Sequence, residues 1–163
     1  MKTLVLGLGN PILTDDGVGV RVAEAVRAAL PPDTTIEVSE VSVGGLRLME
    51  RVVGYDRVIL IDAMHQGYRT PAGPQPGTIH RLTLADLRQI SPTQHSASAH
   101  DTSLSTALDM GQRMGLSLPT EFIIYAVEVA NVTDFSEEPT PAVAAAIPRV
   151  TAMVLNELKG EQP

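Results

Sequence analysis

Residues 3–26 read TLVLGLGNPILTDDGVGVRVAEAV, and the fold is decided there. Thr3 to Leu8 is a short apolar run rich in β-formers, as expected of a strand buried on both faces. Gly9-Asn10-Pro11 breaks it as a turn. From Gly17 onward the apolar residues Val18, Val20, Val22, Ala23 and Val26 fall at helical spacing, with Asp15 and Asp16 ahead of them. Acids there match the partial positive charge of a helix N-terminus. Strand, glycine turn and amphipathic helix together are the opening unit of an α/β fold.

The rest of the chain repeats the alternation. Strands are expected at 35–41, at 57–63 (RVILIDA) and at 121–129 (EFIIYAVEV), with a weaker edge strand at 78–83. Helices are expected after Gly44-Gly45, at 84–90, at 102–114 with Gly115 as a stop, and at 141–158, where Pro148 would kink or break the last one. Residues 64–76 and 91–101 read as loops. This order predicts a three-layer α/β fold: a mostly parallel twisted sheet of about five strands with helices on both faces. No repeat or second domain interrupts it, so residues 1–163 read as one domain.

Composition removes several classes of function. The chain has no cysteine, which excludes disulfides, thiolate metal ligands and a cysteine nucleophile. Aromatics are 3% of residues and the net charge is -7, both unfavourable to nucleic-acid binding. Nothing reads as a signal peptide, and no apolar run approaches the length that spans a membrane. A cytoplasmic protein is expected.

Ligands of α/β sheets gather beyond the carboxyl ends of the strands. Three groups fall there. Gly7-Leu8-Gly9 suggests a phosphate cradle, but the dinucleotide fingerprint lacks its third glycine, and Asp15 and Asp16 would repel a pyrophosphate. One of those acids is expected to cap the helix, leaving the other for the cleft. Asp62 closes an apolar strand, where it either pairs with a backbone amide or Arg57, or serves function; the strand-end position favours function. The histidines are His65, close to Asp62; His80, expected at the surface; and His95 and His100 in the Ser-rich loop, with Asp101 as the expected cap of the next helix. Two carboxylates and an imidazole suit a borderline divalent metal and leave positions open. The chain has neither the HExxH helix of a zincin nor a GxSxG elbow.

In order, LVLGLGNPILTDDGVGVRVAEAV, VILIDA, HDTSLSTAL and EFIIYAVEVANVTDFSEEPTPAVAAAIPRV resemble the maturation proteases of nickel–iron hydrogenases over nearly the whole chain. The combination is specific; no single piece is. The resemblance implies an endopeptidase that removes a C-terminal extension from the hydrogenase large-subunit precursor once nickel has been inserted. It implies nickel recognition by an acid after the first strand, an acid ending a later strand, and a histidine. These fall on Asp16, Asp62 and His100, with Asp16 and Asp62 also the catalytic candidates.

The first acid is often Glu in the family; Asp16 is one methylene shorter. His95 rivals His100, but the helix and Leu104 after His100 match the family spacing. Glu40 ends the second strand where the family often has an acid, yet the family's next Gly-Gly-Thr is replaced by Val41-Ser42-Val43, with the glycines displaced to Gly44-Gly45. So sparse a site implies nickel supplied by the precursor, with no organic cofactor. Hydrolysis then has two routes: metal activation of water or carbonyl, or a carboxylate as general base. Two other readings are a nickel-sensing chaperone that docks without cutting, and a peptidyl-tRNA-hydrolase-like esterase. The latter shares GLGNP but needs a histidine soon after it, and this chain has none before His65.

Overall fold

The computed structural model describes residues 1–42, 44–65, 73–90 and 99–160; for Ile90 and residues 99–103 it describes the backbone alone. The elements run β1 (Thr3–Leu8), a 3-10 turn (Thr14–Gly17), α1 (Val18–Ala29), β2 (Glu37–Val41), α2 (Leu46–Val52), β3 (Arg57–Met64), β4 (Ile79–Thr83), α3 (Leu84–Ile90), α4 (Ala99–Arg113), β5 (Glu121–Glu128) and α5 (Pro141–Lys159). Among the described residues the strands form one sheet in the order β2-β1-β3-β5-β4, with β4 antiparallel at the edge.

β1 and β3 are buried along their whole length, which is why their sequences are continuously apolar rather than alternating. Successive residues still face opposite sides. Leu4, Leu6, Val58, Leu60 and Met64 pack under α2, α3 and α4, while Val5, Ile59, Ile61 and Ala63 pack under α1 and α5. α1 carries the chain from β1 to β2 on one face, and α2 carries it back to β3 on the other. The strand order therefore reverses between β1 and β3, and a crevice opens there at the carboxyl ends.

Glycines make that junction. A Cβ on Gly19 would stand 2.3 Å from both the Ile61 and Leu8 carbonyl oxygens, so α1 sits directly on β1 and β3. Gly9 has φ +132°, and a Cβ on it would meet the Asp16 carbonyl oxygen at 1.8 Å. The glycine turn is thus filled by its own chain, and it offers no cradle for a phosphate.

Several boundaries differ from expectation for identifiable reasons. α1 is preceded by a 3-10 turn that contains both Asp15 and Asp16, and Gly17 occupies its N-cap with no side-chain bond, so neither acid caps it. α4 begins at Ala99, which puts His100 and Asp101 inside its first turn; Asp101 is not a residue preceding the helix. α5 runs unbroken through Pro148. Pro148 and Ala144 both face solvent, so the carbonyl that loses its intrahelical donor is open to water. α3 has a capping box: the Asp86 carboxylate accepts the Thr83 N–H at 2.7 Å, and Thr83 Oγ1 accepts the Asp86 N–H at 3.2 Å. No helix among the described residues is long and apolar enough to cross a membrane.

Candidate active site at the strand-order reversal

The loop after β1 and the carboxyl end of β3 meet at the reversal. Gly7 stands opposite Ile61 in register, and the 3-10 turn lies against β3. Asp62, next after Ile61, is 3% exposed, and its Oδ1 accepts the Ala63 N–H at 2.8 Å. By strand alternation it points, with Leu60 and Met64, to the face covered by α2 and α4. Arg57 is not its partner. That guanidinium is buried at the other end of β3 between Glu121 and Glu157.

The two consecutive acids of the 3-10 turn have separate environments. Asp15 is 0% exposed. Its Oδ2 accepts the N–H groups of Ala130 at 2.9 Å and Asn131 at 3.0 Å, and its Oδ1 accepts the Thr140 N–H at 2.7 Å. The Thr140 hydroxyl also donates to it. Asp15 thereby ties the β1 loop to the loop after β5 and to the N-cap of α5. Asp16 is half-buried, and its Oδ2 accepts the Asn10 N–H at 2.7 Å. Of the two acids, Asp16 is therefore the one that keeps solvent exposure.

Thr14 opens the 3-10 turn. It has φ +50°, a left-handed backbone that a β-branched residue rarely adopts. Its N–H donates to Ser136 O at 2.9 Å and its hydroxyl to Asp134 O at 2.6 Å, and these bonds hold it there. The turn after it sends consecutive carboxylates in different directions.

His100 lies in the first turn of α4, one helical turn before Leu104. Leu104 and Leu108 pack in the cluster on the Asp62 face of the sheet. Positions 100, 104 and 108 share one stripe of α4, and position 100 is the one nearest its N-terminus. The His100 side chain and the whole of His95 lie outside the described residues. Among the described residues no group of three His, Asp or Glu stands close enough to hold a metal ion. His65 is exposed just beyond β3. Glu40 faces the α1 side and pairs with Arg27, so it is not brought to Asp62.

His80 corrects another expectation. It is half-buried rather than on the surface, with Nε2 2.7 Å from Oε1 of Glu128. Glu128, at the end of β5, is 2% exposed, and its Oε2 also accepts the Gln75 N–H. Sequence reasoning missed this pair. The available signal was an acid closing a buried apolar strand, the same signal that marked Asp62. A cleft of about 430 Å³ lined by Leu84, Leu108, Leu116, Leu118 and Phe122 lies at the opposite, N-terminal end of β5, away from these acids.

A family model described as hydrogenase maturation protease matches residues 20–157. The hydrogenase expression/formation protein HupD of Thiocapsa roseopersicina is 25% identical over 157 residues, spanning 96% of this chain and 67% of that protein. The hydrogenase 2 maturation protease of Escherichia coli is 34% identical over 64 residues, 39% of each chain. Among solved structures, the hydrogenase maturating endopeptidase HybD from E. coli has the same fold, with TM-score 0.78 and 26% identity over 98% of this chain and 93% of its own.

Proposed function

Because the chain belongs to the hydrogenase maturation protease family, we propose that it removes the C-terminal extension of a nickel–iron hydrogenase large-subunit precursor after nickel insertion, reading the metal through Asp16, Asp62 and His100. The observation that carries this reading is the placement of Asp16 and Asp62 on either side of the strand-order reversal, with the first turn of α4 beginning on the Asp62 face. Such a crevice is where α/β folds present ligand-binding groups.

The nickel is part of the substrate. Cysteines of the precursor hold it, and two carboxylates and an imidazole complete its shell without competing for a thiolate-ligated ion. Peptide hydrolysis then needs a polarised carbonyl and an acceptor for the proton of the attacking water. The metal supplies the first, and a carboxylate of the Asp16/Asp62 pair supplies the second. The reading includes a cytoplasmic site of action.

The test is cleavage of the precursor with and without nickel. Processing confined to the nickel-loaded precursor is the expected result. Equal processing of both forms sinks the metal-reading role. Tight binding of the loaded precursor without cleavage makes the chain a nickel-sensing chaperone instead.

A further inference from the structure

Ile12 and Phe135 are large apolar side chains left in solvent, 46% and 82% exposed, beside the proposed site. Their backbones are rigidly paired. Leu13 and Ser136 form a parallel bridge, the Ser136 N–H donates to Ile12 O at 3.0 Å, and the Thr14 N–H donates to Ser136 O at 2.9 Å. The turn bearing Phe135 is further closed by Asn131, whose Oδ1 accepts the N–H groups of Thr133 and Asp134 at 3.1 Å each. Asp15 locks both loops to α5 from below. Asp16 is one turn away, its N–H donating to Leu13 O at 3.1 Å.

Phe135 contributes nothing to the core, and a polar residue would close that turn as well. An exposed aromatic carried on a hydrogen-bonded backbone suits a binding surface, because little backbone entropy is lost on docking and an aromatic side chain has only two torsions to fix. Its surroundings are acidic. Glu137 and Glu138 are exposed beside it, and among the described residues the Arg21 guanidinium donates to the Glu137 and Pro11 carbonyls.

We infer that Ile12 and Phe135 form a docking ledge for the precursor segment that flanks the scissile bond, gripping an apolar side chain within a locally basic stretch. The inference rests on the reading of the chain as a precursor-processing endopeptidase, and it names the part of the substrate that the site grips beyond the metal.

The experiment measures binding of the nickel-loaded precursor to the full chain, and cleavage by it, for wild type and for Phe135→Ser, Ile12→Ser and the double variant. Both side chains are exposed, so thermal melts should coincide with wild type. The expected result is a roughly ten-fold loss of affinity for each side chain, with a matching rise in KM, as follows from leaving a large apolar group undocked. Affinity of the wild type should also fall as salt rises, and Glu137→Gln/Glu138→Gln should flatten that dependence. Unchanged affinity and KM in the double variant overturn the ledge while leaving a cleaving wild type intact as a protease. Ledge-dependent binding without cleavage upholds the ledge and removes the protease. A salt-independent affinity overturns the basic stretch, and a wild type that neither binds nor cuts the precursor overturns both readings.

Discussion

Replacing Asp15 with alanine separates the scaffold from the site more sharply than any other single change. The Asp15 carboxylate is fully buried and accepts from the N–H groups of Ala130, Asn131 and Thr140 and from the Thr140 hydroxyl. A hydrogen bond to a charged group contributes roughly 1.5–3 kcal/mol, and a buried donor left without an acceptor costs about 1–3 kcal/mol. These terms overlap, because the four donors share one acceptor and water will reach some of them after truncation. A loss of about 3–5 kcal/mol is the reasonable total once that overlap is counted, at the upper end for a single substitution that breaks a buried hydrogen-bond network. For a chain of this length each kcal/mol shifts Tm by about 2–4 °C, so the midpoint should fall by roughly 6–20 °C. Asp15→Asn keeps the volume but turns an NH2 toward existing donors, and should lose about half as much. Urea and thermal melts by circular dichroism measure both. An Asp15→Ala protein within about 0.5 kcal/mol of wild type, the range of an ordinary surface substitution, would refute the bracing role. Asp16, next along the chain, should behave in the opposite way: no stability loss beyond about 1 kcal/mol, and no processing.

Asp16→Ala and His100→Ala should each abolish cleavage of nickel-loaded precursor with melts close to wild type, and Asp62→Ala should abolish it with some added loss of stability. His95→Ala should cleave almost normally; a dead His95 variant beside an active His100 variant would move the imidazole role to His95. Gly19→Ala drives a methyl against the Ile61 and Leu8 carbonyls, which it would approach to 2.3 Å. It should cost at least about 1–3 kcal/mol and impair processing by lifting the 3-10 turn off β3, and a fully active, fully stable variant would contradict the close approach. The Arg81 guanidinium, hydrogen-bonded to Glu157, holds that carboxyl below its ordinary 4.5. Because the folded value is lowered, the contribution is complete above about pH 4.5 and disappears as pH falls through the folded value. Glu157→Gln should therefore be less stable than wild type at pH 7, by about 1–3 kcal/mol from the charge-assisted hydrogen bonds lost with Arg81 and Arg57, and the gap should close in acid; a gap constant from pH 7 to pH 3 would remove Glu157 as its source.

The sheet was legible because the signals that form it are local. Apolar runs bounded by glycine and proline mark β1, β3 and β5, and the 3.6-residue spacing of valines marks α1. Strand order and the antiparallel direction of β4 were not legible, since both depend on pairings between distant segments. The candidate site was half legible for the same reason. An acid closing a buried run stands out at Asp62, but the choice between Asp15 and Asp16 rests on Ala130, Asn131 and Thr140, more than a hundred residues away. Capping assigns one of the two acids to the helix they precede, and Gly17 occupies that N-cap instead. With three residues per turn, consecutive side chains on the 3-10 turn diverge by about 120°, so that one carboxylate satisfies buried amides while its neighbour accepts from Asn10. The two adjacent acids after β1 therefore have separate structural roles: Asp15 braces distant segments, and Asp16 closes its own loop on Asn10 while keeping solvent exposure. The brace has a functional consequence of its own. On the proposed reading, a carboxylate that completes the shell of a metal held by another protein must already be in place when that metal arrives, and Asp15 holds the turn that carries Asp16.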